Sequence, residues 1–151
     1  MANLLVVIII WIIGIGKFSW KYKESVAEFV VRRSPFSRII NYFLLITPLV
    51  MFEEYLTCET PYPACIPVTL PAFYILFFGL YVAMKRFKLD GRKATIYFGL
   101  FGWFNEFILV GRLFRYTFFE NIVLGILVMP IYAVLAIIPT HYLEKSKGRE
   151  V

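Results

Sequence analysis

The chain has 151 residues, 60% of them A, V, I, L, M, F, W, Y or C, with aromatics at 19% and a mean hydropathy of +0.74. A soluble domain is about 45–50% apolar, so the composition excludes a water-soluble globule and predicts an all-α, polytopic transmembrane bundle forming a single domain over 1–151. The net charge is +6, but the basic clusters are short and each abuts an apolar run, which fits membrane loops and excludes a nucleic-acid surface.

Crossing a hydrocarbon core takes about 20 apolar residues as helix, and the apolar runs predict five spans, near 2–18, 39–56, 70–87, 94–114 and 119–142. The first run has no basic stretch ahead of it. Lys17, Lys21 and Lys23 follow it instead, as in an uncleaved anchor rather than a signal peptide. Residues 19–33 read as an amphipathic helix lying at the cytoplasmic interface. Phe18, Tyr22, Val26, Phe29 and Val30 share one face, Lys21, Glu24, Glu28 and Arg32 occupy the rest, and Trp20 and Tyr22 sit at headgroup level. Ser34-Pro35 ends that helix.

The connection between the second and third spans holds Pro61, Pro63, Pro67 and Pro71 and both cysteines of the chain, and it lacks Lys and Arg. Cys58 and Cys65 are expected to form a structural disulfide on the outer side, where such bonds persist. Their spacing is not C-x-x-C, and no second pair exists to relay electrons. Of the 16 Lys and Arg, only Arg112 and Arg115 fall on this same side. The positive-inside rule then places the N-terminus outside and the C-terminus in the cytoplasm of a cell-membrane protein.

Ionisable residues within spans are costly and therefore mark candidate sites. Span two carries Glu53 and Glu54, span four carries Asn105, Glu106 and Arg112, and span five opens with Glu120 and Asn121, all toward the outer half. They are the candidate ligand or ion site. Thr95, Gly99, Gly102 and Glu106 lie on one helical face, a stripe of small residues that predicts close packing and turns Glu106 into the bundle. Asn105, Thr47 and Asn121 are its expected partners. Glu53 and Glu54 are about 100° apart around their helix, so they are not expected to serve one site equally. Thr47-Pro48 is expected to kink span two, and Pro130 span five.

The stretch FEEYLTC, Phe52–Cys58, resembles the E-E-x-x-x-R motif of the type II prenyl endopeptidase family. Cys58 stands where that motif has arginine, and His141, the only histidine, falls near the opposite membrane face, so the family's chemistry cannot be assembled. The FEEYL portion is also similar to the membrane lycopene cyclase domain, which implies an acidic residue that protonates a polyene. No H-E-x-x-H, phosphate-binding loop or G-x-S-x-G is present, so no metal set, cofactor or catalytic residue is singled out. Three classes of function remain. The first is a non-catalytic subunit or assembly factor of a membrane complex, with other subunits as partners. The second is a transporter or ion-binding protein with an outer-half carboxylate site for a cation. The third is a membrane enzyme using a glutamate as acid or base on a lipid, an isoprenoid or another hydrophobic small molecule.

Overall fold

The computed structural model describes residues 6–58, 64–109 and 117–149. All regular structure among them is helical. A π-helical segment, Val7–Ile15, runs without interruption into α1, Gly16–Arg33. Then come α2, Arg38–Thr57, and α3, Ile66–Phe87. Helix α4, Gly91–Phe104, passes into a second π-helical segment, Asn105–Leu109. Helix α5, Phe118–Lys145, ends in a 3₁₀ turn, Ser146–Arg149. Helices α2, α3 and α5 are each long and apolar enough to cross a membrane.

The breaks between helices follow local chemistry. Ser34 is extended and Pro35 cannot continue α1, so the chain turns. Asn41, in the first turn of α2, donates back to the Phe36 carbonyl at 3.1 Å and fixes the corner. Helix α3 ends at Lys88, the one non-glycine residue with positive φ among the described residues, at 52°. Asp90 then caps α4 by accepting from the Lys93 N–H at 2.8 Å, and Glu144 of α5 accepts from Gly91 N–H at 3.0 Å. Thr117 opens α5 with a reciprocal capping box to Glu120.

Contacts fix the relative directions. Trp11 donates its indole N–H to the Ile131 carbonyl at 3.2 Å, and Glu28 pairs with Lys145 at 3.0 Å, so the N-terminal rod runs parallel to α5. Thr95 meets Thr140 at 3.0 Å while Asn105 meets Tyr132, so α4 runs antiparallel to α5. Tyr42 donates to the Phe77 carbonyl at 3.0 Å and Thr47 meets Tyr74 at 2.7 Å, which makes α2 and α3 antiparallel. Helix α5 is the axis on which the N-terminal rod, α2 and α4 all pack. The core is Trp11, Tyr42, Ile46, Phe77 and Leu135, all fully buried.

Two differences from the sequence reading concern the N-terminal rod. The first predicted span and the predicted interfacial helix are one unbroken helix from 7 to 33. Within α1 the buried positions are Gly16, Ser19 and Ala27, whereas Phe18 and Phe29 are exposed. Small side chains let the rod approach α5 closely (a Cβ at Gly16 would lie 3.0 Å from Val134), so the aromatic face is the one left outside. Helix α3 starts at Ile66, earlier than the expected 70, because Pro67 at the start of a helix costs no hydrogen bond. Pro48, Pro71 and Pro130 all lie inside helices, as does Pro139.

Candidate functional site

At the end of the bundle where α2 finishes and α3 begins, a cavity of about 340 Å³ is lined by Glu53, Glu54, Thr57, Cys58, Cys65, Thr69, Phe73, Glu106, Val128, Ile131 and Tyr132. Glu53 is 5% exposed and Glu54 7%. Both therefore reach the same space, despite their angular separation on α2. The cavity is wide because four elements border it, so side chains from two adjacent positions converge on it. Thr57 donates to the Glu53 carboxylate and to the Glu53 backbone carbonyl, each at 3.0 Å. The sulfurs of Cys58 and Cys65 lie at disulfide distance, with Cα atoms 6.5 Å apart, and tie the end of α2 to the start of α3 beside the cavity.

Glu106 enters from the π-helical segment that continues α4. The small-residue face that carries it packs directly on α5. A Cβ at Gly99 would lie 2.8 Å from the Met129 carbonyl, and one at Gly102 would overlap the Tyr132 ring. That closeness brings the Tyr132 hydroxyl to Glu106, to which it donates at 2.8 Å, while Asn105 Nδ2 donates to the same hydroxyl at 3.3 Å. Neighbouring positions on an α-helix diverge by about 100°. Here the backbone is π-helical from Asn105 to Leu109. Such turns are rare and frequent at functional sites. The wider turn lets both side chains meet one oxygen.

No family model, curated protein or solved structure matches the chain. The site must therefore be read from its own geometry.

The predicted candidates separate into groups. Glu53, Glu54 and Glu106 line one cavity, with Asn105 one hydrogen bond behind them. Glu120 does not join them. It is exposed and closes the α5 capping box, accepting from Thr117 N–H at 2.9 Å and Thr117 hydroxyl at 2.8 Å. Asn121 borders a different, apolar recess with Trp103, Phe107 and Gly125. Thr47 donates to the Phe43 carbonyl at 2.8 Å and meets Tyr74, so its hydroxyl serves the α2–α3 contact. Arg112 lies outside the described residues. His141 sits at the far end, its Nδ1 3.8 Å from Glu144.

Tyr132, Thr57 and Thr69 were not singled out from the sequence. Tyr132 did carry a signal, since it is the one polar side chain between Asn121 and Thr140 in an otherwise apolar run. Thr57 and Thr69 carried none, because their relevance depends on how α2 meets α3. A groove of about 690 Å³ between α3 and α4 is almost wholly apolar, lined among others by Ile75, Leu80, Phe87, Phe98 and Phe101, and holds no acidic residue.

Proposed function

We propose that this chain is an integral membrane protein, crossing the membrane five times with its N-terminus outside, whose carboxylate cavity binds a cation or exchanges a proton. This is the ion-binding or transport reading. One observation carries it: Glu53, Glu54 and Glu106 converge on a single cavity whose described lining contains no Lys or Arg. A carboxylate withdrawn from water persists either as the neutral acid or as the anion beside a positive charge. Three together, bordered by the hydroxyls of Thr57, Thr69 and Tyr132, offer several oxygens to one small cation, and oxygen donors of this kind suit hard cations. The Cys58–Cys65 tether holds α2 and α3 at fixed spacing beside the cavity, which keeps the oxygens positioned. The reading places the cavity toward the outer face, because the basic loops sit at the other end of the bundle.

The test is thermal melting of the detergent-purified protein against Na⁺, K⁺, Mg²⁺ and Ca²⁺ and against pH. One cation, or protonation above the acid range in which the exposed carboxylates titrate, should raise the melting temperature saturably. Glu53→Gln, Glu54→Gln and Glu106→Gln should remove that response while the proteins remain folded. A wild-type protein indifferent to all four cations and to pH, or a glutamine triple variant that responds like wild type, would overturn the reading.

A further inference from the structure

The end of α2 and the start of α3 bring three metal-ligating atoms together. A carboxylate oxygen of Glu54 and the Sγ atoms of Cys58 and Cys65 all lie within 4.8 Å of one another. Each is placed by local structure. Glu54 and Cys58 are four residues apart, which puts them on one face of the helix end, and the Cys58 N–H donates to the Glu54 carbonyl at 2.9 Å. Cys65 stands just ahead of α3, where its carbonyl accepts from the backbone N–H groups of Val68 and Thr69, each at 3.1 Å. Further along, Tyr42 with Phe77 and Thr47 with Tyr74 align the two helices. None of these bonds depends on the disulfide.

The donor set has a definite chemistry. Two thiolates and a carboxylate suit Zn²⁺, whereas hard cations take oxygen alone. Tetrahedral zinc binds sulfur at about 2.3 Å, which sets two ligating sulfurs about 3.8 Å apart. That spacing is within the range of ordinary non-bonded contact, so two sulfurs released from a disulfide bond reach it by moving only apart. A Glu54 oxygen within 4.8 Å has about 1 Å to travel to complete the third edge. The fourth position faces the cavity of about 340 Å³ that all three residues line, with room for water. Glu54 is buried, while Cys58 and Cys65 are half-buried, so a reductant and an ion reach the sulfurs.

We propose that Glu54, Cys58 and Cys65 form a redox-gated Zn²⁺ site, closed to metal as the disulfide and open to it as the dithiol. Exchange with a dithiol reductant breaks the S–S bond. Two electrons and two protons pass to the protein sulfurs, and the reductant leaves as its own disulfide. Zn²⁺ then displaces the two protons, and the thiolates with the Glu54 carboxylate hold it. One link joins α2 to α3 in either state, first covalent and then through the metal. This site goes beyond the carboxylate reading, because the hard cations of that reading bind the oxidised protein and need no sulfur.

The experiment uses the full chain in non-ionic detergent, reduced with a dithiol under argon and desalted, beside the oxidised protein. Zn²⁺ is the probe, with Cd²⁺ as its spectroscopic substitute. The reduced protein should retain one metal ion per chain through a second desalting, read by native mass spectrometry, and the oxidised protein none. Cd²⁺ should give the ultraviolet charge-transfer band of a thiolate complex. Zn²⁺ should protect both cysteines from alkylation, read by intact mass, and should raise the melting temperature of the reduced protein. Glu54→Gln should still form the disulfide but bind Zn²⁺ at least about tenfold more weakly when reduced. The Cys58→Ser, Cys65→Ser double variant should give no band. The proposal is overturned if the reduced protein, folded or not, retains no metal, or if the oxidised protein retains it equally. It is also overturned if either thiol stays open to alkylation in Zn²⁺, or if Glu54→Gln binds as tightly as wild type. The hard-cation response of the carboxylate cavity is measured on the oxidised protein, so its failure and the failure of the zinc site are read separately.

Discussion

The Tyr132 hydroxyl works in both directions, donating to Glu106 and accepting from Asn105. Its ring also lies where a side chain at Gly102 would have to be. These two facts give different expectations for two small substitutions. Tyr132→Phe keeps the ring and removes the hydroxyl, taking one partner from two half-buried polar groups. It should cost about 1–3 kcal/mol and alter the cation or proton response of the cavity. Gly102→Ala keeps the hydroxyl but forces the ring aside, and overpacking of this kind costs about 1–3 kcal/mol. Melting of both variants with and without added cation checks this. If Gly102→Ala is as stable as wild type, the close contact of α4 with α5 is wrong. At this scale the sequence was informative about Glu106, because its alignment with Gly99 and Gly102 is a property of one helix. It expected Glu53 and Glu54 not to serve one site equally, and their shared place in one cavity depends on several elements meeting there. Glu120 shows a local pattern outweighing a membrane argument: Thr117 lies three residues before it, the spacing of a capping box, and the carboxylate is used there.

Among elements, the turn joining α3 to α4 and the contact of α1 with α5 both depend on exposed carboxylates outside the spanning segments. The backbone N–H of Lys93, and then its ammonium group, hold Asp90 below its ordinary value of 3.8. Lys145 holds Glu28 below its ordinary value of 4.5, through a hydrogen bond and its charge. A carboxyl whose folded value is depressed contributes stability that is present above its unfolded value and is lost as pH falls through the folded one. Acidification from about pH 5 to about pH 3 should therefore lower the melting temperature. The double variant Asp90→Ala, Glu28→Gln should start lower at neutral pH and fall less over that range. An acid slope identical to that of wild type would show that neither contact couples to folding. The helices themselves were largely legible in sequence, since α2, α3 and α5 follow long apolar runs with proline and capping signals at their ends. The unbroken rod from 7 to 33 was not. Its amphipathic pattern suggested a surface helix with an apolar face of large side chains, whereas the small residues Gly16, Ser19 and Ala27 are the ones buried in the structure.

For the whole molecule, the alternating helix directions put Arg38, Lys85, Lys88 and Lys147 at one end and the two cysteines with three glutamates at the other. The asymmetry of the 16 Lys and Arg in the sequence predicts that the basic end faces the cytoplasm. Single cysteines introduced at Lys88 or Lys147, with Cys58 and Cys65 replaced by serine, should react with a membrane-impermeant reagent only after the membrane is opened. Labelling of intact cells at either position would reverse the orientation and with it the outward placement of the carboxylate cavity. The polarity of the molecule was legible in charge alone. The carboxylate cavity was not, because it is formed by residues far apart in the chain.

Helix α5 is the support on which the N-terminal rod, α2 and α4 rest, and it is the last of these helices in the chain. A ribosome releases residues in order, at about 5–20 per second, so the earlier helices are made several seconds before the surface they are shaped to meet. During that interval Gly99 and Gly102 lack the α5 face on which they pack, and the Glu106 carboxylate lacks the Tyr132 hydroxyl. Assembly of this protein is thus a waiting problem. Anything that lengthens the delay before α5 arrives extends the time an incomplete bundle stands open to wrong partners and to quality-control proteases.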